Sequence, residues 1–159
     1  MSNKVDLLEN LIKNDSIKVG LSASDYKEAI KLSMQPLIDK KVIDENYYLS
    51  ILESLKNYGP YFIIADHVAM PHAQNEVGVF DNGFSLITLE KEIYFEGDNR
   101  PIDILIGLAS ASSDIHVGVA LPQIVSIFEN EENIEKIRKA KSKEEVINVI
   151  KSVDLKKYL

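Results

Sequence analysis

The side chains best suited to chemistry in this sequence are its three histidines, and there is no cysteine at all. Disulfides, thiolate metal sites and cysteine nucleophiles are thereby excluded. His72 closes the run Gly59-Pro60-Tyr61-Phe62-Ile63-Ile64-Ala65-Asp66-His67-Val68-Ala69-Met70-Pro71-His72-Ala73. Its apolar residues read as a half-buried strand, and Pro71 fixes the backbone just before the imidazole. An imidazole with an unperturbed pKa of about 6.5 is neutral and nucleophilic near pH 7. It can accept a phosphoryl group on a ring nitrogen and pass it on. The competing reading of such a residue is a hydrogen-bonded structural histidine at a strand end.

His116 follows Ser110-Ala111-Ser112-Ser113-Asp114, a cluster of helix-capping residues after an apolar strand. With Ser113 or Asp114 as N-cap, it stands in the first turn of a helix. Unpaired N–H groups and the positive end of the helix dipole favour a phosphoryl group there and disfavour the imidazolium. The alternative is a solvent-exposed first-turn histidine. Pro122 cannot donate to Gly118, so this helix bends there or begins later. His67 is an odd number of residues from His72. On one extended segment the two side chains leave opposite faces, which makes them poor joint metal ligands. Asp66-His67 reads as an exposed turn without a role, and Arg100 as a turn-surface residue. A metal site built on His72 and His116 finds no support in HExxH-type spacing.

The elements that must position these residues follow from periodicity. Helical spacing covers residues 1–14, and residues 16–21 read as a strand. Ser24 or Asp25 caps a helix running to about Lys41, with Pro36 as a kink or division. Asp44 caps another, with Tyr48, Ile51, Leu52 and Leu55 on one face, ended by Gly59 and Pro60. Strands are expected at residues 61–64, 68–70, 84–89 and 93–95, with turns at residues 81–83 and 96–99. Residues 102–109 are almost continuously apolar, which marks a central strand. From Ile115 the pattern is helical. Residues 129–145 alternate in charge like a solvated helix face, and Ser142-Lys143-Glu144-Glu145 is a capping box before Val146.

At 159 residues with 45% hydrophobic content, the chain is the size of one domain and can bury a real core. No apolar run is long enough to span a membrane, and the mixed N-terminal residues do not form a signal peptide, so a cytoplasmic protein is expected. A formal net charge of −7 argues against nucleic acid and for a basic protein partner. The apolar face of the N-terminal helix suits either a dimer or the core.

The run ending in His72 resembles the phosphorylation site of the IIA components of bacterial sugar phosphotransferase systems, in the mannitol–fructose class. Gly59-Pro60-Tyr61, then Val68-Ala69-Met70-Pro71-His72-Ala73, is most similar to the ascorbate-type members. Gly83-Phe84-Ser85-Leu86-Ile87-Thr88-Leu89, Phe95-Glu96-Gly97-Asp98-Asn99-Arg100-Pro101-Ile102, and Gly107-Leu108-Ala109 followed by His116 also look like this family. The match is specific from about Tyr47 to Phe128. The resemblance implies an α/β fold of one domain over residues 1–159, a mixed sheet flanked by helices on both faces. It implies that His72 is phosphorylated by the phosphocarrier HPr and that His116 stabilises the phosphoryl group. The phosphate then goes to a IIB component, which energises uptake of an ascorbate-like sugar through a membrane IIC permease, with no metal or cofactor. The alternative is a regulatory module of the same type, whose phosphorylation controls partner binding. Two departures stand out. Many mannitol-like relatives carry an arginine near the position of Glu53-Ser54-Leu55, and ascorbate-type relatives often have arginine where Gln74 stands here.

Overall fold

The computed structural model describes residues 6–111 and 119–155. A mixed five-stranded sheet forms its middle, in the order β1-β4-β5-β3-β2. The strands are β1 (Ile17–Leu21), β2 (Ile63–Ala65), β3 (His67–Ala69), β4 (Gly83–Ile93) and β5 (Ile102–Ala109). The helices are α1 (Leu7–Lys13), α2 (Tyr26–Asp39), α3 (Glu45–Tyr58), α4 (Leu121–Phe128), α5 (Glu131–Lys139) and α6 (Lys143–Lys151). β5 runs parallel to β3 and antiparallel to β4, β1 runs parallel to β4, and β2 folds back antiparallel to β3.

The expected centrality of β5 holds, and its cause is visible: every residue in it is buried. Ile104, Ile106 and Leu108 feed a core with α1, α4, α5 and α6, while Leu105 and Ala109 feed a second core with α2 and α3. Helices therefore cover both faces of the sheet. The apolar face of α1 belongs to the first core, through Leu7 and Leu11. At Gly107 an added Cβ would lie 2.4 Å from Ser85 Oγ and 2.8 Å from Met34 Cε, so the glycine admits α2 against the sheet.

Boundaries differ from the periodic reading in several places. The pieces at residues 84–89 and 93–95 are one strand, β4, which ends at Ile93 and carries a bulge between Thr88 and Ile93. Exposed Glu90, Lys91 and Glu92 fill that irregular stretch and hide its continuity. The segment at residues 61–64 pairs later, as Ile63–Ala65. Pro36 does not end α2, which continues to Asp39. The charged run at residues 129–145 divides into two helices, because Asn130 and Ser142 each cap one with a side-chain oxygen. α4 spans Leu121–Phe128, with Pro122 near its start, and the two residues before it are already helical; the stretch before residue 119, Gly118 included, lies outside the described residues. Among the described residues no helix is long and apolar enough to cross a membrane.

Candidate functional site around His72

β3 leaves the sheet through Met70 and Pro71. Met70 N donates to Phe62 O at 2.9 Å, and Leu108 N donates to Pro71 O at 3.0 Å. Proline has no N–H to give, but its carbonyl extends the pairing with β5. His72 is thus set beyond the carboxyl end of β3, beside the carboxyl end of the parallel strand β5. Open α/β sheets hold ligands at that end.

The imidazole is half-buried. Its Nδ1 lies 2.7 Å from Met70 O. A carbonyl only accepts, so Nδ1 carries the ring proton and Nε2 keeps the lone pair. The Tyr61 ring meets the imidazole at 87° with centroids 5.2 Å apart, and Phe62 packs at 6.0 Å. The Tyr61 hydroxyl donates to the His72 carbonyl.

Next, α3 holds the following residues. Tyr47 Oη donates to Leu108 O at 2.7 Å and accepts from Ala73 N at 3.2 Å. Ser54 Oγ accepts from Gln74 N at 3.2 Å. Farther on, Asp44 N donates to Gly78 O at 2.9 Å. Gly78 has φ +80°, and a Cβ there would fall 2.4 Å from Asp44 Oδ1 and 2.7 Å from Tyr47 N. Only glycine lets this loop lie on the start of α3. Burial raises the Tyr47 phenol above its ordinary range. It pushes Tyr61 up to about 12, against hydrogen bonds from the Ser54 and Gln74 side chains that pull the other way. Both hydroxyls stay protonated at neutral pH.

The sequence candidates separate in space. His116 lies outside the described residues, as do Ser112, Ser113, Asp114 and Gly118. His67 is not an exposed turn residue: it opens β3 with φ 76°, half-buried, its N–H donating to Pro101 O at 2.7 Å. Its Nδ1 sits 3.2 Å from Asp103 Oδ1 and 3.8 Å from Glu92 Oε2, the nearer contact lacking hydrogen-bond alignment. Arg100 forks onto Asp98 at 3.0 and 2.8 Å. Both groups belong to the starting end of β5, away from His72. Tyr47 and Ser54 went unread as site residues. Tyr47, Ile51 and Ser54 form the fully buried stripe of α3, whereas Tyr48, Leu52 and Leu55 are only partly buried. The more apolar stripe masked the one that does the holding; the spacing of Tyr47 and Ser54 was the available signal.

Comparison with known proteins bears on the family and the fold. Residues 10–153 match the family model described as phosphoenolpyruvate-dependent sugar phosphotransferase system, EIIA 2. The chain is 42% identical over 156 residues to the ascorbate-specific PTS system EIIA component of Mycoplasma pneumoniae, covering 98% of each. It is 41% identical to the mannitol-specific cryptic phosphotransferase enzyme IIA of Escherichia coli, with a TM-score of 0.83 over 92% of this chain and 99% of that one. The same fold recurs at 18% identity and a TM-score of 0.75 in a complex of enzyme IIA and phosphorylated enzyme IIB for mannitol from Escherichia coli, covering 87% of this chain and 95% of that one.

Proposed function

This chain belongs to the EIIA type 2 family of the phosphoenolpyruvate-dependent sugar phosphotransferase system, and from that membership we propose that it is a cytoplasmic phosphocarrier acting through His72. Residues 1–159 serve as one such domain. The donor is the phosphohistidine of HPr, the acceptor is a IIB component, and a IIC permease completes uptake of an ascorbate-like sugar. The near-complete match to an ascorbate-specific relative supports that sugar.

The observation that carries the reading is the 2.7 Å contact of His72 Nδ1 with Met70 O, which leaves Nε2 as the nucleophile. Nε2 attacks the phosphorus in line, a nitrogen–phosphorus bond to His72 forms, and the bond to the HPr imidazole breaks. The proton stays on Nδ1 throughout, hydrogen-bonded to Met70 O, and that acceptor supports the positive ring that phosphorylation creates. Donor and acceptor are both imidazoles, so transfer is nearly balanced and runs on to IIB. The Tyr61 and Phe62 rings shield one side of the imidazole from water, which slows hydrolysis. His116 donates a hydrogen bond to the phosphoryl oxygens in the transition state.

Intact mass after incubation with phosphoenolpyruvate, enzyme I and HPr tests this. Wild type gains one acid-labile phosphate and His72→Ala gains none. His116→Ala accepts phosphate but passes it to IIB about 100-fold more slowly, the usual scale for one lost transition-state donor. No gain in wild type beside an active HPr control overturns the carrier reading and favours a regulatory module. A gain retained by His72→Ala and lost by His116→Ala reverses the two roles.

A further inference from the structure

Residues 72–74 are held in an unusual way: each main-chain unit is tied to a different side-chain hydroxyl. His72 O accepts from Tyr61, Ala73 N donates to Tyr47 at 3.2 Å, and Gln74 N donates to Ser54 at 3.2 Å. No charged side chain takes part in any of the three bonds. Tyr47 and Ser54 lie two turns apart on the same face of α3, and Tyr61 follows just after that helix. One of the hydroxyls is also joined to the sheet: Tyr47 donates to Leu108 O at 2.7 Å. Tyr47 therefore ties the His72 loop to the strand whose continuation carries His116.

We propose that Tyr47, Ser54 and Tyr61 act together as a rail of neutral hydroxyls that positions His72 for phosphoryl transfer. The proposal rests on the phosphocarrier reading above. In-line attack demands that Nε2 be held close to one place, and a misplacement of about 1 Å costs on the order of 100-fold. The bond from Nδ1 to Met70 O fixes the ring within its own loop, two residues apart, and moves with that loop. The rail is what fixes the loop against α3 and β5. Its neutrality has a use. His72 alternates between a neutral imidazole and a phosphorylated, negatively charged state. A cationic clamp favours the charged state and traps the phosphate, whereas hydroxyls on the main chain hold both states alike.

The test compares Tyr47→Phe, Tyr61→Phe and Ser54→Ala with Ile51→Val, which trims the same buried face of α3 without touching the rail. Two quantities are read: the rate of phosphoryl acceptance as a function of phospho-HPr concentration, and the imidazole 15N spectrum of His72 in unphosphorylated protein. Each tyrosine variant lowers the saturating rate about 10-fold and leaves the half-saturating HPr concentration unchanged. His72 then exchanges between tautomers instead of holding the Nδ1–H form. The Tyr47→Phe, Tyr61→Phe double variant loses less than the product of the singles, as coupled residues do. Ile51→Val melts lower but keeps the wild-type rate and spectrum. Tyrosine variants that melt lower yet match Ile51→Val in rate and tautomer overturn the rail and leave these residues as ordinary core. Half-exposed Tyr61 keeps the test alive if Tyr47→Phe does not fold. A wild type that takes no phosphate sinks the carrier reading instead, and the tautomer comparison still decides whether the rail sets the ring.

Discussion

At the scale of single residues, the site is a matter of where small groups are placed. The place of His72 was legible, because an apolar run followed by a proline reads as a strand end. Its supports were not. A hydroxyl that bonds a main-chain atom 26 residues away, as Tyr47 does with Ala73, leaves no periodic mark in sequence. Gly78 is a second such support. Its φ of +80° and its contact with the start of α3 both exclude a side chain. We expect Gly78→Ala to destabilise the protein by about 1–3 kcal/mol through overpacking. Tyr47 N lies against the same atom, so the shift reaches the His72 loop and phosphoryl acceptance slows as well. Urea unfolding and the acceptance rate measure the two effects separately. A lowered unfolding midpoint with an unchanged rate shows that α3 absorbs the strain without passing it on.

At the scale of elements, pattern reading found the strands and helices and lost their edges where polarity interrupts them. Caps at Asp25, Asp44 and Ser142 each bond a backbone N–H, as their positions suggest, and Asp6, which the sequence reading did not single out, caps α1 in the same way. The break came in β4, where three exposed charged residues disguise a continuous strand. The turn joining β4 to β5 is held by Asp98, whose carboxylate accepts from Arg100 Nε and Nη2 and from the Arg100 main-chain N–H. Those hydrogen bonds from Arg100 lower the Asp98 pKa from 3.8 to about 2. A depressed folded pKa means that the tie contributes fully above pH 3.8 and is lost as pH falls through about 2. A carboxyl-carbon NMR titration should therefore place the Asp98 midpoint at about 2. In Asp98→Asn, amide exchange at Arg100 should quicken while the sheet amides hold. A midpoint at an ordinary carboxylate value removes the tie from the account of this turn.

At the scale of the molecule, the two ends of β5 have separate tasks. Leu108 joins the His72 site. Asp103, about 17 Å away at 3.3 Å per residue, accepts from Arg138 Nε at 2.8 Å and anchors α5, while Arg138 also reaches Glu135 at 2.7 Å. Arg138→Leu leaves the buried Asp103 carboxylate without its donor and should cost about 2 kcal/mol, or about 4–8 °C in Tm. His72 should still take phosphate at the wild-type rate at 25 °C, and a slowed rate in that variant joins the two ends after all. The position of β5 has one more effect, on how the protein is made. It is the last of the five strands along the chain, yet β3 and β4 both pair with it. At about 5–20 residues per second of translation, β3 waits a few seconds for the strand that organises it. Until then β3 and β4 each offer an open edge to any neighbouring chain. Slowing the ribosome while β5 is still inside its exit tunnel should therefore lower the soluble yield more than slowing it once Ala109 has emerged.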